Sequence, residues 1–109
     1  MFGEVVEDPS SQVSYFGRLD GTIDFLLAQA LRATFAIGSL SVTQFDHFLT
    51  QHDAYFPPAF SRPSFFDNHD MDRLLLLANG DKRKLKLAAL CLLTLPNAPV
   101  IYYLSLIHI

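Results

Sequence analysis

Residues 85–107 run LKLAALCLLTLPNAPVIYYLSLI, and two prolines inside that apolar stretch limit what the chain can become. A membrane-spanning helix needs roughly 20 apolar residues without serious interruption. The unbroken run from Leu87 to Leu95 covers only nine before Pro96, Asn97 and Pro99 intervene. Proline lacks the N–H and pushes its predecessor out of helical φ/ψ. Beyond the break, Val100-Ile101-Tyr102-Tyr103 is β-branched and aromatic, which favours a strand. The segment reads as a buried helix, a turn and a buried strand, so no membrane partner is expected. Met1-Phe2-Gly3-Glu4 carries an early acid and no basic stretch, so no signal peptide is visible and the compartment stays unassigned.

Such burial sits oddly with the chain's size. Of 109 residues, 50% are hydrophobic, and ten are Phe. The mean hydropathy is +0.25. A domain this small exposes much of its surface and normally covers it with charge. The Phe and Leu content excludes a disordered chain, and the lone Cys91 excludes a disulfide scaffold. With 8 Lys+Arg against 11 Asp+Glu, the net charge of −3 is wrong for a nucleic-acid partner.

Along the chain, residues 1–6 read as a short apolar strand with Glu4 near its end. Residues 7–21 carry turn chemistry at Asp8-Pro9-Ser10-Ser11 and Asp20-Gly21, and read as a loop. Residues 22–26 return to strand-like composition. A helix follows over about 27–37, with Leu27, Ala30, Leu31, Thr34 and Phe35 on one face and Gly38 as its stop. A second helix starts at Ser41 or Thr43, buries Phe45, Phe48 and Leu49, and ends before Pro57-Pro58. Pro63–Asp67 is another short strand, Arg73–Leu77 a helical stretch, Leu85–Leu95 a helix and Ala98–Tyr103 the last strand. The strands near 65 and 101 lie 36 residues apart, enough for a βαβ unit. Strands with little polar alternation between helical connections argue for an α/β fold with a parallel sheet.

In such sheets ligands bind at the carboxyl ends of the strands. Glu4 and the Asn68-His69-Asp70 cluster fall there. Two carboxylates at neighbouring strand ends, with a histidine beside one, suit acid/base work on a glycosidic bond. Helix capping is the rival account of Asp70 and Asp72, which precede a helical stretch. Glu4, beside Glu7 and Asp8, can equally be a solvated strand end. No metal site is expected: Asp67–Asp72 fails the EF-hand pattern, with Arg73 where its glycine belongs. His47 and His52 are five apart and read as surface histidines on a polar helix face. Lys82-Arg83-Lys84 reads as a solvated basic turn, and Cys91 as an inert core thiol. Tyr15-Phe16 and Tyr55-Phe56 read as core aromatics in preference to sugar-stacking platforms.

Phe65-Phe66-Asp67-Asn68-His69-Asp70-Met71-Asp72-Arg73 resembles the Phe-x-x-Asn-His-Asp-x-x-Arg motif of the α-amylase family, glycoside hydrolase family 13. Gly3-Glu4-Val5 looks like that family's Glu-Val motif on its fifth barrel strand. Asp24-Phe25 with Ala30–Phe35 is similar to its sixth strand and helix. Asn79–Arg83 through Pro99–Tyr103 is similar to its seventh helix and eighth strand. The resemblance spans about residues 2–103 and implies a partial (β/α)8 TIM barrel covering strands five to eight. A complete barrel takes about 250 residues.

The resemblance implies three roles. Glu4 would be the general acid/base, Asp70 the carboxylate that stabilises the transition state, and His69 a substrate-binding residue in the same subsite. Arg73 would position their loop. The substrate would be an α-glucan or oligosaccharide, and no cofactor is implied within these residues, calcium belonging to the rest of a parent enzyme. The family's nucleophile sits in an Arg-x-Asp motif on the fourth strand, ahead of Glu4, so the chain alone is expected to be inactive. After Tyr103 the family continues with Gly and an acidic segment. Leu104-Ser105-Leu106-Ile107-His108-Ile109 instead matches one frame of a transposase sequencing adapter, CTG TCT CTT ATA CAC ATC. Residues 1–103 are therefore expected to be native and 104–109 adapter translation. The alternative is a small non-enzymatic α/β or helical interaction module, with an apolar surface for a partner or membrane.

Overall fold

Parallel strands laid side by side in chain order organise the computed structural model, in which residues 1–106 are described. β1 (Phe2–Gly3) pairs with β2 (Gly21–Thr22), Phe2 opposite Gly21 and Gly3 opposite Thr22. Parallel bridges then join Gly21 to Ser61 and Ser64 to Pro99. The ladder continues through Thr22 N–H to the Ser61 carbonyl at 3.1 Å, Asp24 N–H to Pro63 at 3.0 Å and Val100 N–H to Ser64 at 2.7 Å. Parallel neighbours cannot be joined by hairpins, so each connection crosses over through helix. Gly21 is required where the strands press closest: a Cβ there would lie 1.8 Å from the Ser61 carbonyl oxygen.

The connections hold α1 (Pro9–Val13), α2 (Phe25–Leu31), a π-helical turn (Arg32–Ile37), α3 (Val42–Tyr55), α4 (Leu74–Leu77) and α5 (Lys82–Thr94). Helix α1 corrects the loop expected over residues 7–21. Asp8 accepts from the Ser10 and Ser11 amides and Pro9 takes the first helical position, so turn chemistry there is helix-start chemistry. The helix expected over 27–37 begins two residues earlier because Asp24 caps it through the Leu27 amide at 3.0 Å. It stops at Gly38 as expected, with φ at 81°. Ser41 starts α3 with a full capping box to Gln44.

The main core gathers Leu27 and Leu31 of α2, Phe45 of α3, Phe66, Leu74, and Leu85 with Leu92 of α5. Phe25, Ala28 and Phe65 form a smaller cluster. The expected helix faces are largely those observed. His52 is a correction: it is 5% exposed, because Asp24 and the rings of Phe48 and Phe56 enclose it. Tyr15, Phe16 and Tyr55 are exposed and not core, since each lies at or past a helix end facing outward; Phe56 alone of the four is buried. Lys84 is half-buried and donates to the Ala36 carbonyl at 2.9 Å, so solvation accounts only for Lys82 and Arg83. Burial pushes the Cys91 thiol up, in keeping with an inert role.

A second apolar surface lies on the outside. Leu87, Leu90 and Leu93 of α5 stay more than half exposed, as does Phe2 of the first strand. No helix among the described residues is long and apolar enough to cross a membrane. The expected adapter segment is described only as far as Leu106; residues 107–109 lie outside the described residues.

Candidate active site

Two clusters of acids and histidine stand near the carboxyl ends of the strands. The exposed one joins Glu4, directly after β1, with His69 and Asp70 from the loop after Phe66. One ligand atom from each of the three lies within 4.8 Å of the others. His69 Nε2 is 3.2 Å from Asp70 Oδ2, and the two side chains are 62% and 68% exposed. The structure thus brings together all three of the residues singled out in the sequence. Their spacing is also one that can hold a metal ion, although exposed acids commonly gather without one. For chemistry, two carboxyls and an imidazole offer a proton donor, a negative charge and a hydrogen-bond partner at one point.

The loop beneath them is fixed from behind. Asn68 Oδ1 accepts the Asp70 amide at 3.0 Å, which turns the backbone so that both His69 and Asp70 face outward. Asp67, 3% exposed, accepts the Leu74 amide at 3.1 Å and the Ser105 hydroxyl. Capping of the following helix therefore falls to Asp67, and not to Asp70 or Asp72. This leaves the Asp70 carboxylate free of α4. Arg73 Nη1 lies 3.8 Å from Asp67 and donates to Ser105 at 3.1 Å, while its guanidinium covers the Tyr102 ring at 4.3 Å. Arg32 Nη1 reaches the same loop, donating to the Phe66 carbonyl at 3.0 Å and to that of Asp72 at 2.7 Å. Burial draws the Arg32 guanidinium down, and the Asp67 and Asp72 carboxylates oppose that shift. Sequence reading missed Asp67 and Arg32. A carboxylate leading the Asn-His-Asp run was the available signal for the first; nothing local marked the second.

The buried cluster is centred on Asp24, which is fully enclosed at the end of β2. Its Oδ2 meets His52 Nε2 at 2.7 Å and Arg62 Nη1 at 3.5 Å. Arg62 also binds Asp53 at 2.7 Å and lies over the Phe56 ring at 4.7 Å. A cleft of 230 Å³ opens beside this cluster, lined by Pro9, Leu26, Phe48, Gln51, His52 and Tyr55. Neither Glu4 nor Asp70 lines it. The chain's Arg18-Leu19-Asp20 tripeptide lies at the amino end of β2, where the Asp20 amide donates to the Met1 carbonyl, so Asp20 is at the wrong end of the sheet to join Glu4.

The family model for the alpha amylase catalytic domain matches residues 1–108. Alpha-amylase 2 of Dictyoglomus thermophilum is 36% identical over 101 residues, a match covering 93% of this chain and 18% of that protein. Neopullulanase 2 of Thermoactinomyces vulgaris is 28% identical over 103 residues, covering 93% and 17%. The chain thus spans under a fifth of the length of these curated relatives. Among solved structures, the alpha-amylase from H. orenii superposes with a TM-score of 0.85 at 29% identity, over 95% of this chain and 22% of that one. A cyclic alpha-maltosyl-(1→6)-maltose hydrolase from Arthrobacter globiformis, at 23% identity, shares the fold with a TM-score of 0.86 over 95% of this chain and 24% of that one. A parallel sheet in chain order, an Asn-His-Asp loop at its carboxyl end and these likenesses together identify the chain as part of the catalytic barrel of the α-amylase family.

Proposed function

We propose that the chain is the segment spanning strands five to eight of a retaining enzyme that hydrolyses or transfers α-glucosidic bonds in starch-like substrates. One observation carries this reading: Glu4, His69 and Asp70, from two different strand ends, converge on one exposed point. Glu4 protonates the leaving glycosidic oxygen and later takes a proton from the attacking water. Asp70 faces the sugar ring as positive charge develops at its anomeric carbon, and a fixed negative charge there lowers the barrier. His69, beside Asp70, donates to a sugar hydroxyl in the same subsite. Maltose in the Arthrobacter hydrolase complex supports a glucan as the ligand class.

A retaining reaction also needs a carboxylate nucleophile. On this reading it comes from the fourth strand of the whole enzyme, and residues 1–103 alone do not turn over substrate. The apolar outer surfaces of α5 and the first strand support the same division, because in a closed barrel neighbouring strands and helices cover them. Residues 104–109 are read as adapter translation. The source nucleotides test it: genuine coding sequence continuing through a different codon string would sink the adapter reading.

The functional reading is tested on the gene beyond this sequence. An Arg-x-Asp codon run at a fourth-strand position upstream of Met1 is expected, and the full-length product should hydrolyse soluble starch while the 109-residue chain does not. Turnover by the short chain that disappears in Glu4→Gln would overturn the division of the site. A monodisperse, cooperatively folding short chain, with no such upstream motif, would favour an interaction module instead.

A further inference from the structure

We infer that Arg32 is a positioning residue for the reaction, a clamp that sets the height and direction of Asp70 without touching substrate. The inference rests on the glycosidase reading above. The loop from Phe66 to Asp72 carries His69 and Asp70 at its middle, and both side chains project into solvent. Packing therefore cannot hold them from the outside, and the loop must be fastened from within. A single nitrogen, Arg32 Nη1, donates to the first carbonyl of this segment and to the last, at 3.0 Å from Phe66 and 2.7 Å from Asp72. Both bonds carry charge assistance, which makes them stronger than neutral backbone bonds. They tie together two points six residues apart, so the span between them bows outward with Asp70 near its crest.

The placement of Arg32 is unusual in its own right. It opens the π-helical turn Arg32–Ile37, directly after the α-helical Leu31. Ala33 O there accepts from Gly38 at 2.8 Å and from Ser39 at 2.9 Å, so the helix is wider than an α-helix and turns its side chains out of the usual register. Leu31 is wholly buried in the core, which anchors the stem from which Arg32 reaches. The Asp67 carboxylate holds the start of the loop against α4 by accepting the Leu74 amide, a bond that does not involve Arg32. Removing Arg32 would leave the cap on α4 intact and free the loop that bears Asp70.

The test uses the full-length enzyme with Arg32→Met and Arg32→Lys, and Glu4→Gln as the control for the glycosidase reading. Displacement of a reacting group by about 1 Å costs about 10²-fold in rate. Arg32→Met is expected to lower kcat about 100-fold while KM for a maltooligosaccharide changes less than about threefold. Arg32→Lys, which keeps a charged donor but on a shorter, unbranched side chain, should recover part of that loss. Amide hydrogen exchange should rise across residues 66–72 in Arg32→Met and stay unchanged in α5. A kcat within about twofold of wild type in Arg32→Met would overturn the inference, as would a loss that falls on KM alone. If Arg32→Met does not accumulate, Arg32→Lys decides by the same kcat criterion. Full activity in Glu4→Gln would instead overturn the glycosidase reading, whatever Arg32 does.

Discussion

Asp24 with His52 and Asp70 with His69 are the same pair of side chains in two different states. Both lie past the carboxyl end of a strand, and in both a histidine nitrogen comes within 3.2 Å of an aspartate oxygen. Asp24 and His52 are almost fully enclosed, with Arg62, the Leu27 amide and the Phe48 and Phe56 rings set against them. Asp70 and His69 are over 60% exposed, and their side chains bond to no core element among the described residues. Residue type does not separate structural from functional roles here. What separates them is whether the fold has already used the hydrogen-bonding capacity of the group.

The comparison breaks first, if it is wrong, at Asp24. Asp24→Ala in the full-length enzyme leaves Arg62 and His52 buried without their shared partner and removes the cap of α2. Breaking a buried ion pair from one side costs about 3–5 kcal/mol. The thermal midpoint should fall steeply; a midpoint within a degree or two of wild type would mean the buried cluster is not structural. Glu4→Gln should show the opposite profile. Turnover should drop about 10²–10⁴-fold, the usual share of general acid/base catalysis, while stability stays within about 0.5 kcal/mol, as for other exposed substitutions. Equal losses of activity and stability in either variant would erase the distinction between the clusters.

A smaller effect separates the two histidines. His52→Gln keeps polarity but loses the 2.7 Å contact and the stacking on Phe48 at 4.9 Å. A partly unsatisfied buried group costs about 1–3 kcal/mol, so the midpoint should drop with kcat within about twofold below it. His69→Gln should leave the midpoint alone and weaken substrate binding, read as a rise in KM. Reversed results would exchange the roles assigned to the two pairs.

Much of this was readable from local chemistry. The Asn-His-Asp run, Gly38 as a stop and Ser41 as a start each act within three or four residues of chain. The exposed cluster was found because its members sit at strand ends in recognisable motifs. The buried one was not, because nothing between Asp24 and His52 announces that α3 folds back to set its last turn against β2. Arg32 was missed for a related reason. Its partners are carbonyl oxygens 34 and 40 residues away, and backbone acceptors leave no trace in sequence. Asp8 was read as a turn residue because Asp-Pro-Ser-Ser suits both a turn and a helix start, and only the chain direction after it decides.

Asp8 supplies the finest test of the same contrast, since it and Glu4 are exposed acids four residues apart. The Ser10 hydroxyl and the Ser11 amide hold the Asp8 carboxyl down at about 2, against an ordinary value of 3.8. These bonds exist only in the folded helix start, so the folded form binds its proton less readily than the unfolded one. Asp8 therefore contributes stability above the ordinary carboxylate range, and that contribution is lost as pH falls from about 4 through about 2. A carbon-detected NMR titration of the full-length enzyme should place the Asp8 carboxyl midpoint at about 2, with the Ser10 and Ser11 amide shifts following the same curve. Asp8→Asn keeps a competent cap and should remove that step from both amides. An Asp8 midpoint at 3.8 would mean that its carboxylate is as uncommitted as Glu4 is proposed to be, and that exposure alone, not prior use by the fold, distinguishes the acids along this strand end.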